Sequence, residues 1–209
     1  MRNDGEDTLI TIGLVTDLHY APGSAGTRHY SDSLAKLARA VDDFRYWDPD
    51  LVINLGDSLD TAESSAEELR RFGEIRQVLA GVEADTHYLL GNHDVGELTR
   101  EQFLAEVPDR PAPSYYSFDC RGVHIVMLDS NYNADGSPFS AGNFCWNDAW
   151  IGEDQIAWLQ ADLAAADSMP ILVFCHANLD NRRLKDGTLN RHIVRDATAV
   201  REVLEVSGS

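Results

Sequence analysis

Leu51-Val52-Ile53-Asn54-Leu55-Gly56-Asp57-Ser58-Leu59-Asp60 changes character halfway: a mainly apolar run stops at a glycine, and carboxylates begin at once. The run is short enough for a buried strand, and Gly56 permits the tight turn that ends it. The same transition recurs along the chain. Residues 9–15 lead into Asp17-Leu18-His19, residues 86–90 into Gly91-Asn92-His93-Asp94, and residues 171–175 into His176. Open α/β folds place their sites beyond the carboxyl ends of parallel strands, and here four strand ends carry Asp, Asn or His.

The intervening segments read as helices. Leu34, Leu37, Ala38 and Val41 recur at helical spacing, with Ser31 or Ser33 as the cap and residues 47–50 as the stop. A second helix is predicted over 62–79 through Leu69, Phe72, Ile75 and Val78, and a third over 97–107. Pro108, Pro111 and Pro113 then make a stiff loop. Strands at 115–119 and 123–129 are separated by Cys120-Arg121-Gly122, which predicts an antiparallel hairpin. Residues 130–152 are polar, Gly-rich and aromatic, and read as a loop insertion in a single domain spanning 1–209. Helices at 153–167 and 197–206 flank the last strand. This order predicts a layered α/β fold, parallel in its first half and mixed later.

The chain has 209 residues, 17 Lys and Arg against 35 Asp and Glu, and a formal charge of −18. That balance argues against a nucleic acid polymer as partner, because phosphate neutralisation needs a basic surface. Anionic membrane surfaces are disfavoured for the same reason, and no apolar run is long enough to span a bilayer. Most of the acid excess reads as solubilising surface. The polar start, residues 1–7, is followed by no apolar stretch of signal-peptide type. Cys120, Cys145 and Cys175 form neither a CxxC nor an even-numbered framework and are expected to be reduced and buried. Together these features predict a cytoplasmic protein; the oligomeric state is not legible.

The residues at the strand ends suit a site for two metals. Asp17 and His19, two apart on an extended chain, can reach one cation. Asp57 can bridge two cations about 3.5–4 Å apart. Asn92 offers a carbonyl oxygen and His176 an imidazole nitrogen. His93 is then free to act as an acid or hydrogen-bond donor, oriented by Asp94, and Asp60 can orient a ligand or cap its loop. Oxygen and imidazole donors without thiolate suit Mn, Fe, Zn or Co.

The set Asp17-x-His19, Gly56-Asp57-x-x-Asp60, Gly91-Asn92-His93-Asp94 and His176 resembles the calcineurin-like metallophosphoesterase superfamily. The resemblance spans residues 9–206. It implies a four-layer αββα sandwich with mixed sheets and two divalent metals, Asp17 and His19 on the first, Asp57 bridging, Asn92 and His176 on the second. It further implies that metal-activated water attacks phosphorus while His93, steadied by Asp94, serves the leaving oxygen. Gly26-Thr27-Arg28-His29-Tyr30 looks like a segment of the manganese-dependent ADP-ribose/CDP-alcohol diphosphatases, which favours Mn and makes Arg28 and Tyr30 candidate substrate contacts. The family's later Gly-His-x-His motif and its last strands are missing from this chain, which ends in residues 203–209. The chain therefore reads as C-terminally truncated, or each metal lacks one protein ligand; His192 is the one candidate replacement.

The expectation is a dinuclear metal-dependent hydrolase of phosphodiester or diphosphate bonds in a small phosphorylated substrate. Cyclic-nucleotide or glycerophosphodiester phosphodiesterase and phosphomonoesterase activities share the same ligands. A non-catalytic binding scaffold is the rival from another class, and an intact His93 speaks against it. His87 and His124 read as packed or edge histidines, and Arg182 and Arg183 as phosphate contacts or a solvated loop. Trp146 and Trp150 read as core of the insertion or a substrate wall.

Overall fold

The segments ahead of Asp17, Asp57 and Asn92 form β1 (Ile12–Val15), β2 (Leu51–Asn54) and β3 (Asp85–Tyr88), all parallel, in the order β1-β2-β3; β3 ends before the apolar pair Leu89-Leu90. The computed structural model describes residues 9–60, 62–107, 113–166, 168–180, 188 and 191–207. The chain divides into two compact units: Met1–Arg110 with Ser140–Gly142, and Pro111–Phe139 with Asn143–Ser209.

In the first unit β2 is central and buried at every position, as its apolar composition requires. α1 (Ser33–Trp47) buries Leu37 and Val41, one turn apart on one face. A 3-10 turn at Tyr30–Asp32 feeds α1, so Asp32 occupies the N-cap, not Ser31 or Ser33, and makes no side-chain cap bond. The backbone there is already helical, and an N-cap side chain turns back on the helix only from an extended conformation. Asp48, left-handed at φ 51°, ends the helix within the predicted stop.

α2 (Ser65–Leu79) starts later than predicted because Ser64 is its cap, its side chain accepting the Glu67 N–H at 3.3 Å. Phe72, Ile75 and Leu79 line the core face. The Phe72 ring meets Tyr88 of β3 at 5.7 Å and Phe103 of α3 (Arg100–Glu106) at 4.8 Å. Truncating such a buried ring to alanine costs about 3–5 kcal/mol.

In the second unit β4 (Tyr116–Cys120) and β5 (Val123–Leu128) form the predicted antiparallel hairpin. Arg121 and Gly122 both take positive φ, 51° and 75°, which a two-residue hairpin turn of right-handed twist demands. β6 (Ile171–Cys175) runs parallel to β5. α4 (Glu153–Ala165) and α5 (Ala197–Ser207) share a core with β5 through Val126, Leu128, Leu159, Leu163 and Val200. Among the described residues no strand follows β6, and no helix is long and apolar enough to cross a membrane.

The aromatic stretch packs largely on itself. Phe139 is fully buried and stacks on Phe144 at 4.5 Å, whereas Trp146 is exposed and stacks on His192 at 4.9 Å. None of the three cysteines forms a disulfide; Cys120 and Cys175 are half-buried, whereas Cys145 is exposed rather than buried as expected. Pro108, Pro111, Asp167, Arg182 and Arg183 lie outside the described residues.

Candidate metal centre

Beyond the strand ends of the first unit, the loops after β1 and β2 continue side by side. The N–H of Asp17 donates to Gly56 O at 3.1 Å, that of His19 to Asp57 O at 2.9 Å, and that of Tyr20 to Ser58 O at 2.9 Å. Asp17, His19 and Asp57 all hold left-handed backbone, at φ 52°, 44° and 52°. Such conformations cost about 1–3 kcal/mol each in non-glycine residues and persist only where surrounding structure fixes them. The loop ladder supplies that fixing.

Two glycines bring the third loop against the second. A Cβ on Gly56, itself at φ 99°, would lie 2.5 Å from the Gly91 nitrogen, and a Cβ on Gly91 would overlap Asp57. The backbone N–H of His93 consequently reaches Asp57 Oδ1 at 2.9 Å. Buried Asp94 clasps both loops: Oδ1 accepts from Ser58 N at 2.8 Å and Leu59 N at 3.1 Å, and Oδ2 from Gly91 N at 2.9 Å. Asn54, buried at the end of β2, does the same locally, accepting from Gly56 N and donating to Ser58 Oγ.

The side chains then converge. His19 Nε2 stands 3.7 Å from Asp17 Oδ1 and 3.6 Å from Asp57 Oδ2, while His19 Nδ1 is 3.1 Å from Asp60 Oδ2. The His93 ring meets His19 edge-on at 4.6 Å, and its Nδ1 lies 3.8 Å from Asp60 Oδ2. Donor atoms of His19, Asp57 and His93 all fall within 4.8 Å of one another. Burial alone would lower the His19 pKa. The Asp17 carboxylate, an electrostatic contact at 3.7 Å, together with the charges of Asp57 and Asp60, outweighs burial and the opposing Arg28, leaving the imidazole above 6.5.

This donor set fits a divalent cation. Nε2 faces two carboxylates at spacings too long for hydrogen bonds but suited to donors about 2.0–2.2 Å from a shared ion. His19 Nδ1 is buried and makes no hydrogen bond, yet it faces Asp60, the arrangement in which a carboxylate orients a ligating imidazole.

The other expected residues are placed as follows. Asn92 directly precedes the 3-10 turn that begins at His93. Arg28 is exposed, hydrogen-bonds through its backbone to Ala25, and acts on His19 through its charge. Tyr30 opens the turn into α1. His176 follows β6 in the second unit, where Ser130 Oγ accepts the N–H of neighbouring Ala177 at 3.2 Å. His124 is packed, its ring between Asp119 at 2.7 Å and Asp162 at 2.9 Å. Sequence reasoning missed Asn54, Ser130 and Glu68. The fully buried Glu68 carboxylate on α2 accepts the N–H groups of Glu97 and Leu98 at 3.2 and 2.9 Å, and burial pushes its pKa to about 7.

The family model described as calcineurin-like phosphoesterase matches residues 10–203. The chain belongs to that family. Its fold is shared with a dimetal phosphatase from Danio rerio, at TM-score 0.78 and 20% identity, covering 96% of this chain and 78% of that one. A purple acid phosphatase from yellow lupin (Lupinus luteus) seeds superposes at TM-score 0.53 and 14% identity, covering 87% of this chain and 33% of the other. A Fibrobacter succinogenes protein named "Probable cyclic nucleotide phosphodiesterase" is 25% identical over 176 residues, 84% of this chain. The chain spans 60% of that relative's length. Membership of this metallophosphoesterase family implies divalent metal ions, and the strand-end donors of the first unit fit them.

Proposed function

We propose that the chain is a metal-dependent hydrolase of phosphodiester or diphosphate bonds in small phosphorylated molecules, with two divalent ions and manganese as the favoured metal. The observation that carries this reading is the convergence beyond parallel strand ends of His19 Nε2 on Asp17 at 3.7 Å and Asp57 at 3.6 Å, with the His93 ring 4.6 Å from that of His19. Within the first unit Asp17 and His19 would hold one ion, Asp57 would bridge, and Asn92 would hold the other. Bound divalent ions supply charge neutralisation on the phosphoryl oxygens and activation of water.

The chain's own groups perform the rest. His93, partly exposed, is free to give a proton to the leaving oxygen. Its backbone is tied to Asp57, and its ring faces Asp60. Asp94 steadies it by bracing the Gly91 turn that carries it. Arg28 and Tyr30 would contact the substrate's phosphate side. The name of the Fibrobacter relative favours cyclic nucleotides as a second reading of the substrate.

The test is hydrolysis of bis(p-nitrophenyl) phosphate by manganese-loaded protein beside its His93→Ala variant. Turnover by the wild type with a loss of about 100-fold or more in the variant, at equal metal content, is expected. Equal turnover by both would remove His93 from the reaction.

A further inference from the structure

We propose that Glu68 of α2 is a positioning residue for His93: its buried carboxylate fixes the far side of the turn that aims the imidazole at the leaving oxygen. The proposal rests on the reading of His93 as the proton donor, and every residue it uses belongs to the first unit.

The 3-10 turn His93–Val95 is held on both flanks. On the near side, Asp94 ties Gly91 to the Asp57 loop, and the His93 N–H reaches Asp57 itself. On the far side the chain passes through Gly96 to Glu97 and Leu98, whose N–H groups both donate to Glu68 Oε2. The second oxygen of the carboxylate lies against the same turn. A Cβ on Gly96 would stand 3.5 Å from Glu68 Oε1 and 3.5 Å from the His93 carbonyl oxygen. The carbonyls of this segment turn the other way: Ala141 N–H donates to Leu98 O at 2.8 Å and Gly142 N–H to Val95 O at 2.9 Å.

The backbone matters here because the ring is loosely held. His93 Nδ1 is 3.8 Å from Asp60, too long for a hydrogen bond, and the ring meets His19 only edge-on. Its direction therefore follows the turn beneath it. Displacing a catalytic group by about 1 Å can cost about 100-fold in rate.

The acid is also a costly choice for its place. Glu68 is fully buried and its Oε1 makes no hydrogen bond. Burial pushes its pKa to about 7 against the pull of two N–H groups. A neutral glutamine accepts the same two bonds without burying a charge. What the carboxylate adds is bond strength, about twofold over a neutral acceptor, and hence a stiffer turn.

The test compares the wild type with Glu68→Met, which fills the site without an acceptor, and Glu68→Gln, which keeps one acceptor oxygen. The substrates for the manganese-loaded proteins are bis(p-nitrophenyl) phosphate and diphenyl phosphate, whose phenol is the poorer leaving group and needs the proton more. Glu68→Met should lower kcat for diphenyl phosphate by about tenfold or more, and for the nitrophenyl ester by less, with KM and manganese content unchanged. Glu68→Gln should recover most of the rate. A second readout needs no turnover. In the 13C-histidine-labelled full chain loaded with diamagnetic zinc, the His93 ring, assigned through His93→Ala, should show a nuclear Overhauser contact to His19. Glu68→Met should shift the His93 signal and weaken that contact while the His124 signals stay in place. Equal rate losses on both diesters, a rise in KM, or an unmoved His93 signal would each overturn the proposal. If the wild type hydrolyses neither diester, the phosphoesterase reading fails and the His93 signal decides the positioning role. If Glu68→Met does not fold, Glu68→Gln decides: a smaller shift of the His93 signal supports the role, and an unmoved signal overturns it.

Discussion

Gly91 lies so close to Asp57 that a Cβ at position 91 would overlap the Asp57 backbone nitrogen and its carboxylate. The glycine is therefore a condition for the position of the carboxylate that faces His19 at 3.6 Å. Gly91→Ala must push one loop away from the other. Overpacking of this kind costs about 1–3 kcal/mol. Urea denaturation should show that loss, and calorimetric titration should show manganese affinity falling by about tenfold or more. Unchanged affinity would mean that Asp57 does not need this packing.

Asp94 satisfies three buried N–H groups at once, two on the Asp57 loop and one on Gly91. Asp94→Ala strands all three, at about 1–3 kcal/mol for each unmet group before relaxation or water entry. Unfolding free energy should fall by several kcal/mol, about 3 at least. Asp94→Asn keeps acceptor capacity at one oxygen and should fall between. A neutral Asp94→Ala in thermal unfolding would contradict the clasp.

His124 carries a stability term with a definite sign. Burial alone would lower its pKa, but hydrogen bonds to Asp162 and Asp119 prevail and raise it above 6.5. The stabilisation is thus fully present below about pH 6.5 and is lost as pH rises through the folded value. Urea unfolding of wild type and His124→Gln should differ by about 1–2 kcal/mol in mild acid, the difference shrinking in alkali. A difference independent of pH would show that the ring acts by packing alone.

Much of this was legible because the relevant signals are local. Four of the six strands, β1, β2, β5 and β6, are mainly apolar runs with abrupt ends, and Asp17, His19, Asp57, Asn92 and His93 are ligand types standing beyond β1, β2 and β3. Cys120-Arg121-Gly122 announced its hairpin by turn chemistry. What was not legible depends on partners far apart in sequence. Nothing in the local pattern around Asp94 says that its oxygens take N–H groups 35 and 36 residues away. Glu68 is an acidic residue next to Leu69 of the helical pattern, yet it is buried against the turn at Glu97 and Leu98. Ser31 and Ser33 were reasonable caps displaced by a 3-10 entry that propensity does not encode. Trp150 and Tyr132 pair in an antiparallel bridge only because the aromatic stretch folds back on itself.

Ser130 offers a check on the second unit. Its hydroxyl accepts the N–H next to His176 at 3.2 Å. Ser130→Ala should cost about 1 kcal/mol of stability and loosen that turn, seen as faster amide exchange at Ala177. Exchange at the wild-type rate would show that the contact does not hold the turn.

The most direct test of the metal centre is anomalous diffraction at the manganese edge from crystals soaked in manganese. The account predicts a peak within about 2.0–2.3 Å of both His19 Nε2 and an Asp57 carboxylate oxygen. A map with no peak there, or with manganese bound only elsewhere, would contradict it.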